Sequence, residues 1–579
     1  MMAKNKKIHY LIFFALIAIG VFFRFYLLEA RTVHHDESLH ALYAKYFYND
    51  PGHLFYKYDP MLHGPLLYNI LPFAYHILGT TILSARLCMA LFGTFLLFIP
   101  FVIRNRIGNY SALLATLLLS FSPTLIYWSR FIRHDILVLF FMGLILLTML
   151  KAEESSTKVL TLPVYFFLLF CIKENYFIYV FHLCFFLILD FSYGHFCLNK
   201  KNGSWLIHIL NCIKKYPVHL ATGLVIGIFF FLYFYSAGFR YTQGILDFPI
   251  FKAFRYWWGQ HRIERIPGPF SYHFLITSWY ESPLLLLAGL ALFLASIYSK
   301  IRIRYLVLTS FLLSLLLHLM LKSEVTSSFL NSILRIKIPP DAYLFSFLLI
   351  WTSAFTFSFL ALERRALAFF TFITGASFFT YSYLGEKVPW LTLYCIIPLI
   401  IIIVLIMEEY KHHPGIKKVL GIFLVLYLAL QINTIYRSDF KHAGEATELL
   451  SQVHTTPGYQ DFAIFLQQQL MSKTNVKVLA YRENFWPLSW FLYGLPGFDF
   501  SKKHNFDDYT YILTTANDDE LDSLLKNEFQ HILLPIRWWW LPKFEQMGIK
   551  EFFTYLLIKK PWNPVGQMQV KIYGKKVKH

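Results

Sequence analysis

Long apolar runs, separated by short polar or basic breaks, dominate the chain up to about residue 434. A helix that crosses a bilayer needs about twenty apolar residues. The runs 8–28, 83–103, 108–127, 134–150, 159–173, 176–194, 217–236, 282–299, 304–322, 343–361, 366–384, 390–408 and 416–434 meet or approach that length. They predict about thirteen transmembrane helices. The apolar stretch 66–79, entered through His63-Gly64-Pro65, is too short to cross. It reads as a helix lying in the interface. From about 435 the pattern changes. Short strand-like runs (476–481, 509–514, 531–535 and 567–573) alternate with helical stretches near 459–472, 517–527 and 543–558. That alternation predicts a small α/β domain. The division is therefore 1–434, membrane domain, and 435–579, C-terminal domain.

Basic residues fall in alternate connections: Arg104-Asn105-Arg106, Lys151 to Lys158, Lys200-Lys201 with Lys214-Lys215, Lys300 to Arg304, Glu363-Arg364-Arg365, and Lys411 to Lys418. The positive-inside rule places these in the cytoplasm. The N-terminus, with Lys4, Lys6 and Lys7 ahead of an apolar run, is then cytoplasmic and an uncleaved anchor. An odd span count puts the C-terminal domain outside, and makes 29–82 and 237–281 long external loops. The expected location is a cell's inner (plasma) membrane.

Composition agrees. Hydrophobic residues make up 57% of the chain and charged residues 15%, a balance outside the soluble range. The net charge of +19 resides in the short connections, so it argues for membrane topology rather than nucleic-acid binding. None of the 6 cysteines falls in an external loop or in the C-terminal domain, and no CxxC occurs. Neither a disulfide framework nor a structural zinc site is expected. Gly-rich phosphate loops, GxSxG and HExxH are absent from the sequence.

The candidate chemistry gathers where predicted spans reach the outer face. His34-His35-Asp36-Glu37 follows the first span. Either carboxylate can act as a base there, and the histidines can contact a substrate. Ser129-Arg130-Phe131-Ile132-Arg133-His134-Asp135 joins the third and fourth spans. Its two arginines suit a phosphate, through paired guanidinium donors. Asp36 and Asp135 together form a candidate site for a divalent metal ion, since hard cations take carboxylate oxygens. Lys173-Glu174-Asn175 interrupts an apolar run and must be a turn at water or a paired polar site. Glu386 and Lys387, in Gly385–Trp390, and Gln260 with His261, in the fourth external loop, complete the substrate-contact candidates. The plainer reading of each cluster is a solvated or snorkelling charge belt at the interface.

Taken in order, these motifs resemble the GT-C superfamily of membrane glycosyltransferases. Within it they are most similar to the dolichyl-phosphate-mannose–protein mannosyltransferase-like group, one branch of which is labelled flippase-activity-associated. The likeness runs through His34–Glu37, His63-Gly64-Pro65-Leu66-Leu67-Tyr68, Ala85-Arg86-Leu87 with Ala90-Leu91-Phe92-Gly93, Ser129–Asp135 and Lys173-Glu174-Asn175. It continues at Gly259-Gln260-His261, Glu386–Trp390, His442-Ala443-Gly444-Glu445 and Trp486-Pro487-Leu488-Ser489-Trp490. The resemblance implies a thirteen-span GT-C fold and a polyprenyl-phosphate-linked sugar donor. It also implies a catalytic base at Asp36 and a second acidic residue at Asp135. Related lipid A aminoarabinose transferases have Lys-Pro-Pro where this chain has His63-Gly64-Pro65, so a phosphate role passes to His63, Arg130, Arg133 or Lys387.

The expected activity is inverting transfer of a sugar to a protein, lipid or glycan hydroxyl on the external face. A transporter or flippase component for lipid-linked saccharides is the competing reading, and a membrane scaffold the third. Transporters place ionisable groups near the bilayer midplane. Here they cluster at one face.

Overall fold

The computed structural model describes residues 2–49, 56–150, 155–199, 204–261, 268–297, 342–472, 475–483, 485–501 and 505–576, with a few helical residues between 310 and 316. The chain is mostly helical up to Ile435 and carries a six-stranded sheet beyond it. Twelve of the thirteen apolar runs coincide with helices, and the run 304–322 lies largely outside the described residues. Thirteen spans are not established. Among the described residues, six helices are long and apolar enough to cross a membrane, or up to eight if each of two bent pairs is one span. The count falls because several runs form shorter helices, such as Ser156–Phe170, or break at a bend.

Helix Leu393–Glu409 is at the centre, with 78% of its apolar window buried. Helices Met2–Phe25, Pro217–Tyr235 and Pro414–Ile435 are peripheral, at 22% each, and turn large apolar side chains such as Leu11, Val225 and Val425 outward. Such a surface suits contact with lipid rather than water.

Two bends shape the end of the bundle that holds the clustered charges. Asn109–Ser120 meets Pro123–Ser129 at 63°, and Tyr272–Tyr280 meets Ser282–Ser296 at 98°. Ser122 caps the first break by accepting from the Leu125 N–H, and Pro123 starts the new helix where its missing N–H costs nothing. The buried Glu281 carboxylate ties both breaks together. It accepts from the Ser122 hydroxyl (2.6 Å), the Thr124 N–H (3.2 Å) and the Gln431 amide (3.0 Å).

In the C-terminal region the strands are β1 (His454–Thr455), β2 (Val478–Tyr481), β3 (Phe498–Ser501), β4 (Tyr511–Thr515), β5 (Phe529–Trp539) and β6 (Gly566–Lys575). Their order is β1-β5-β6-β4-β2-β3. β2 runs parallel to β3 and β4, and the other pairs are antiparallel. Helix Pro457–Ser472 covers one face through Tyr459, Ala463, Leu466 and Leu470, which pack on Val478, Ala480, Leu513 and Ile572. This unit is fastened to the helical region at several points. Tyr127 donates to the Ala443 carbonyl (2.9 Å), Thr32 to the Thr455 carbonyl (3.0 Å) and the Val33 N–H to Gln460 (2.6 Å). Glu448 meets Lys559 at 2.9 Å and accepts from the Tyr280 hydroxyl.

Candidate active site

Asp36 and Glu37 occupy the first turn of helix His35–Asn49, where the helix dipole favours carboxylates. Consecutive helical residues project about 100° apart. The two therefore face different surroundings. Glu37 turns into the protein and is fully buried. It accepts from Arg31 (2.9 Å), from Arg86 (2.7 and 3.0 Å) and from the N–H groups of His34 and Ile132 (both 3.2 Å). Burial alone would raise its pKa, but Arg31 and Arg86 outweigh that and hold it at about 2. Every acceptor site on this carboxylate is used in holding the chain together. The expectation of a catalytic Glu37 is corrected on this geometry.

Asp36 faces a cavity of about 490 Å³. His40, His63, Arg133, Lys173 and Glu386 line it from the helical region, and Gln452, Arg537 and Trp539 close it from the C-terminal unit. Asp36 pairs with Arg133, whose guanidinium also reaches Asp135 (3.4 Å) and lies 3.7 Å over the Trp390 ring. Asp135 in turn accepts from Lys173 (2.6 Å) and from the Tyr394 hydroxyl (2.7 Å). The result is a chain of alternating charge: Asp36, Arg133, Asp135, Lys173. The Asp36 carboxyl is a third exposed to the cavity yet surrounded by protein. Burial opposes its ionisation, but Arg133 and the neighbouring histidines hold its pKa well below the usual carboxylate range.

His63 stands on a backbone of φ +68°, a left-handed conformation that costs a non-glycine residue about 1–2 kcal/mol. Close packing enforces it. A Cβ on Gly64 would lie 2.4 Å from the Cys171 carbonyl oxygen, while the N–H groups of Gly64 and Leu66 bond to Ile172 and Cys171 (3.0 and 2.9 Å). The His63-Gly64-Pro65 turn is thus clamped to the Lys173-Glu174-Asn175 turn, which sits between helices Ser156–Phe170 and Tyr176–Phe196. Glu174 holds His63 Nδ1 at 2.7 Å and accepts from Tyr58 (3.0 Å). That pairing orients the imidazole and leaves its other nitrogen for the cavity.

Other expected residues are placed elsewhere. Arg130 donates to the carbonyls of Phe23, Tyr26 and Leu27 (2.9, 2.6 and 2.9 Å) and covers Phe440. It closes the end of the first helix instead of facing the cavity. Lys387 donates to the carbonyls of Ser382 (2.5 Å) and Leu384 (2.6 Å), so its ammonium caps helix Arg365–Tyr383. Neither lines the cavity beside Asp36. Helix Pro249–His261 is described, but the side chains of Gln260 and His261 lie outside the described residues.

The donor set does not suit a divalent cation. Arg133 is wedged between Asp36 and Asp135, and Lys173 occupies the far side of Asp135. Among the described residues no group of three or more His, Cys, Asp or Glu could hold a metal ion.

The sequence did not single out His40, Tyr394, Gln452 or Arg537. His40 lies four residues after Asp36, one turn along the same helix face, a spacing that could have pointed to it. Its Nδ1 meets the Tyr68 hydroxyl at 2.6 Å. Arg537 reaches His35 Nδ1 at 3.0 Å from 502 positions away, and no local pattern announces that.

The family profile of the dolichyl-phosphate-mannose-protein mannosyltransferases matches residues 62–234. No curated protein matches the chain. Among solved structures, ArnT from Cupriavidus metallidurans bound to undecaprenyl phosphate shows 12% identity, with 96% of this chain and 97% of that chain covered, at a TM-score of 0.46. The Archaeoglobus fulgidus oligosaccharyltransferase tethered with an acceptor peptide shows 11% identity, with 89% and 70% covered, at a TM-score of 0.47. The matched segment carries His63, Arg133, Asp135, Lys173 and Glu174, and over that segment the chain resembles the dolichyl-phosphate-mannose-protein mannosyltransferases.

Proposed function

We propose that this chain is a membrane glycosyltransferase that moves a sugar from a polyprenyl-phosphate donor to an acceptor hydroxyl at the external face, with inversion at the anomeric carbon. The observation that supports it most is the alternating series Asp36, Arg133, Asp135 and Lys173, of which Asp36, Arg133 and Lys173 line a cavity large enough for a substrate while the buried Asp135 holds the two cations together from behind. Arg133 and Lys173 supply fixed positive charge for a phosphate. His63, its Nδ1–H committed to Glu174, presents its second ring nitrogen on the same wall. Tyr394, which donates to Asp135, also lines a narrow apolar cleft with Leu139, Leu183 and Ile397, a suitable setting for an isoprenoid chain.

In the reaction the acceptor oxygen attacks the anomeric carbon as the bond from that carbon to the phosphate oxygen breaks. The acceptor proton passes to Asp36, and the polyprenyl phosphate leaves with its charge met by Arg133 and Lys173. In the resting protein Arg133 makes Asp36 a weak base. A donor phosphate competes for that guanidinium and so frees the carboxylate when substrate is present. Glu386 and His35 line the remaining wall, where they would contact sugar hydroxyls.

The test is transfer by the reconstituted protein from a panel of polyprenyl-phosphate sugars, with and without Asp36→Asn. Removing a general base should lower transfer about a hundredfold to ten-thousandfold. Binding of polyprenyl phosphate should persist, because Arg133 and Lys173 remain. An active Asp36→Asn protein would exclude Asp36 as the base. Movement of lipid-linked saccharide across vesicles without transfer would favour the transporter reading.

A further inference from the structure

A second cavity, of about 310 Å³, opens on the C-terminal unit and shares two wall residues, His35 and Arg537, with the first. Its remaining wall includes Arg482, Glu483, Trp486, Phe500 and Met568. Arg537 is placed at this junction by a bulge in β5, where the register with β6 shifts between Pro535 and Arg537. Bulges re-aim side chains in this way. The half-buried guanidinium donates to two neutral acceptors, His35 Nδ1 (3.0 Å) and Met568 Sδ (3.0 Å). Among the described residues no carboxylate lies within ion-pair distance of it, although Glu483 and Asp36 act on it through space. A guanidinium has five N–H donors. A partly enclosed one without a contacting anion is poised to receive one.

The aromatic neighbours add shape. Trp486 meets the His35 ring edge-on at 6.4 Å between centroids, and Phe500 is 49% exposed on the edge strand β3. Flat apolar faces beside a fixed cation, leading to Asp36, match a sugar ring that carries an acidic group. We infer that this second cavity is the acceptor site, and that the acceptor is an anionic saccharide whose carboxylate or phosphate is held by Arg537 while its hydroxyl reaches Asp36 past His35. This rests on the glycosyl-transfer reading of the first cavity and specifies its acceptor. Arg482 is committed to Glu520 (3.5 Å) and Asp518 (3.9 Å) and plays a lesser part.

The experiment uses the full chain in nanodiscs, titrated with two trisaccharides matched in length, one ending in glucuronic acid and one in glucose. Tryptophan fluorescence and calorimetry read the binding. The acidic ligand should bind about tenfold tighter than the neutral one, a difference Arg537→Gln erases. Phe500→Ser should weaken both ligands several-fold. Presenting the acidic sugar on a vesicle lipid separates a lipid-borne acceptor from a free one: a further gain in affinity there points to the former, and equal affinity to the latter. Equal binding of acidic and neutral sugars, no binding of either, or a preference retained in Arg537→Gln would overturn the assignment. Undecaprenyl phosphate binding is measured in parallel. If it depends on Arg133 and Lys173 while the acidic sugar fails to bind, the acceptor assignment falls alone. If undecaprenyl phosphate does not bind, the donor reading falls instead.

Discussion

Asp36 and Glu37 are consecutive, and their carboxylates lie in opposite surroundings: Asp36 pairs with Arg133 at the cavity wall, and Glu37 is locked between Arg31 and Arg86 in the interior. The single helical step between them separates a candidate catalytic group from a structural one. Their neutral isosteres should therefore fail in different ways. Glu37→Gln leaves two guanidinium groups buried without their anion, a loss of about 3–5 kcal/mol for a broken buried pair. It should lower the melting temperature and the yield of folded protein in detergent. Asp36→Asn should melt close to the unsubstituted protein and fail only in transfer. Equal melting of Glu37→Gln and the parent would show that Glu37 is not a structural keystone.

Acid should destabilise the protein in two steps. His35 and His40 are held neutral mainly by burial, with pKa values lowered to about 4 and about 3. Between about pH 6.5 and those values the unfolded chain binds protons that the folded chain refuses, so stability falls as pH falls. Glu37 acts in the same direction lower down. Its depressed pKa contributes stability above the ordinary carboxylate value, and that contribution is lost as pH drops toward about 2. Melting temperature followed from pH 7 to pH 3 should show a slope, beginning near the ordinary imidazole value of about 6.5, that His40→Asn reduces throughout. Glu37→Gln should flatten only the lower part. A profile independent of His40 would contradict the first assignment.

Gly64→Ala tests the clamp beneath His63. The added methyl would meet backbone, the Cys171 carbonyl at 2.4 Å, so the neighbour cannot yield by rotating a side chain. Overpacking of this kind costs about 1–3 kcal/mol. The turn holding His63 should shift away from the turn holding Lys173, and undecaprenyl phosphate binding should weaken with the melting temperature. Unchanged binding and stability would mean that the two turns adapt independently.

Much of this layout was legible in the chain. Apolar runs marked the helices because a bilayer-length segment without charge has few alternatives. Lys173-Glu174-Asn175 read as a polar break because charges inside an apolar run need a partner or water, and the structure supplies His63 and Asp135. Four of the six strands were visible. β1 is two residues long, too short to carry an alternation signal, and β3 follows the turn residues Gly494 to Gly497 with only two apolar positions, Phe498 and Phe500. The resemblance pointed to Asp36 as the base, but the structural role of Glu37 was not legible, because Arg86, 49 positions away, decides it. Nor was the retreat of Arg130 from the site, since its carbonyl partners at Phe23, Tyr26 and Leu27 belong to the first helix.

Arg133 offers the sharpest test of the site's chemistry. Its guanidinium joins Asp36 to Asp135 while lying flat over Trp390. A planar fork can do all three, whereas an ammonium is a point charge with no stacking face. Arg133→Lys should therefore keep the charge and lose the geometry. Undecaprenyl phosphate binding should weaken about tenfold, roughly the 1.4 kcal/mol that separates a bidentate contact from a single one. Arg133→Gln should lose more, because Asp36 and Asp135 would then repel an anion. The same wedge blocks a cation between the two carboxylates, so transfer should persist in a chelator such as EDTA. Wild-type binding by Arg133→Lys would show that charge alone holds the phosphate. Activity abolished by EDTA and restored by a divalent ion would show that Arg133 moves aside for a metal.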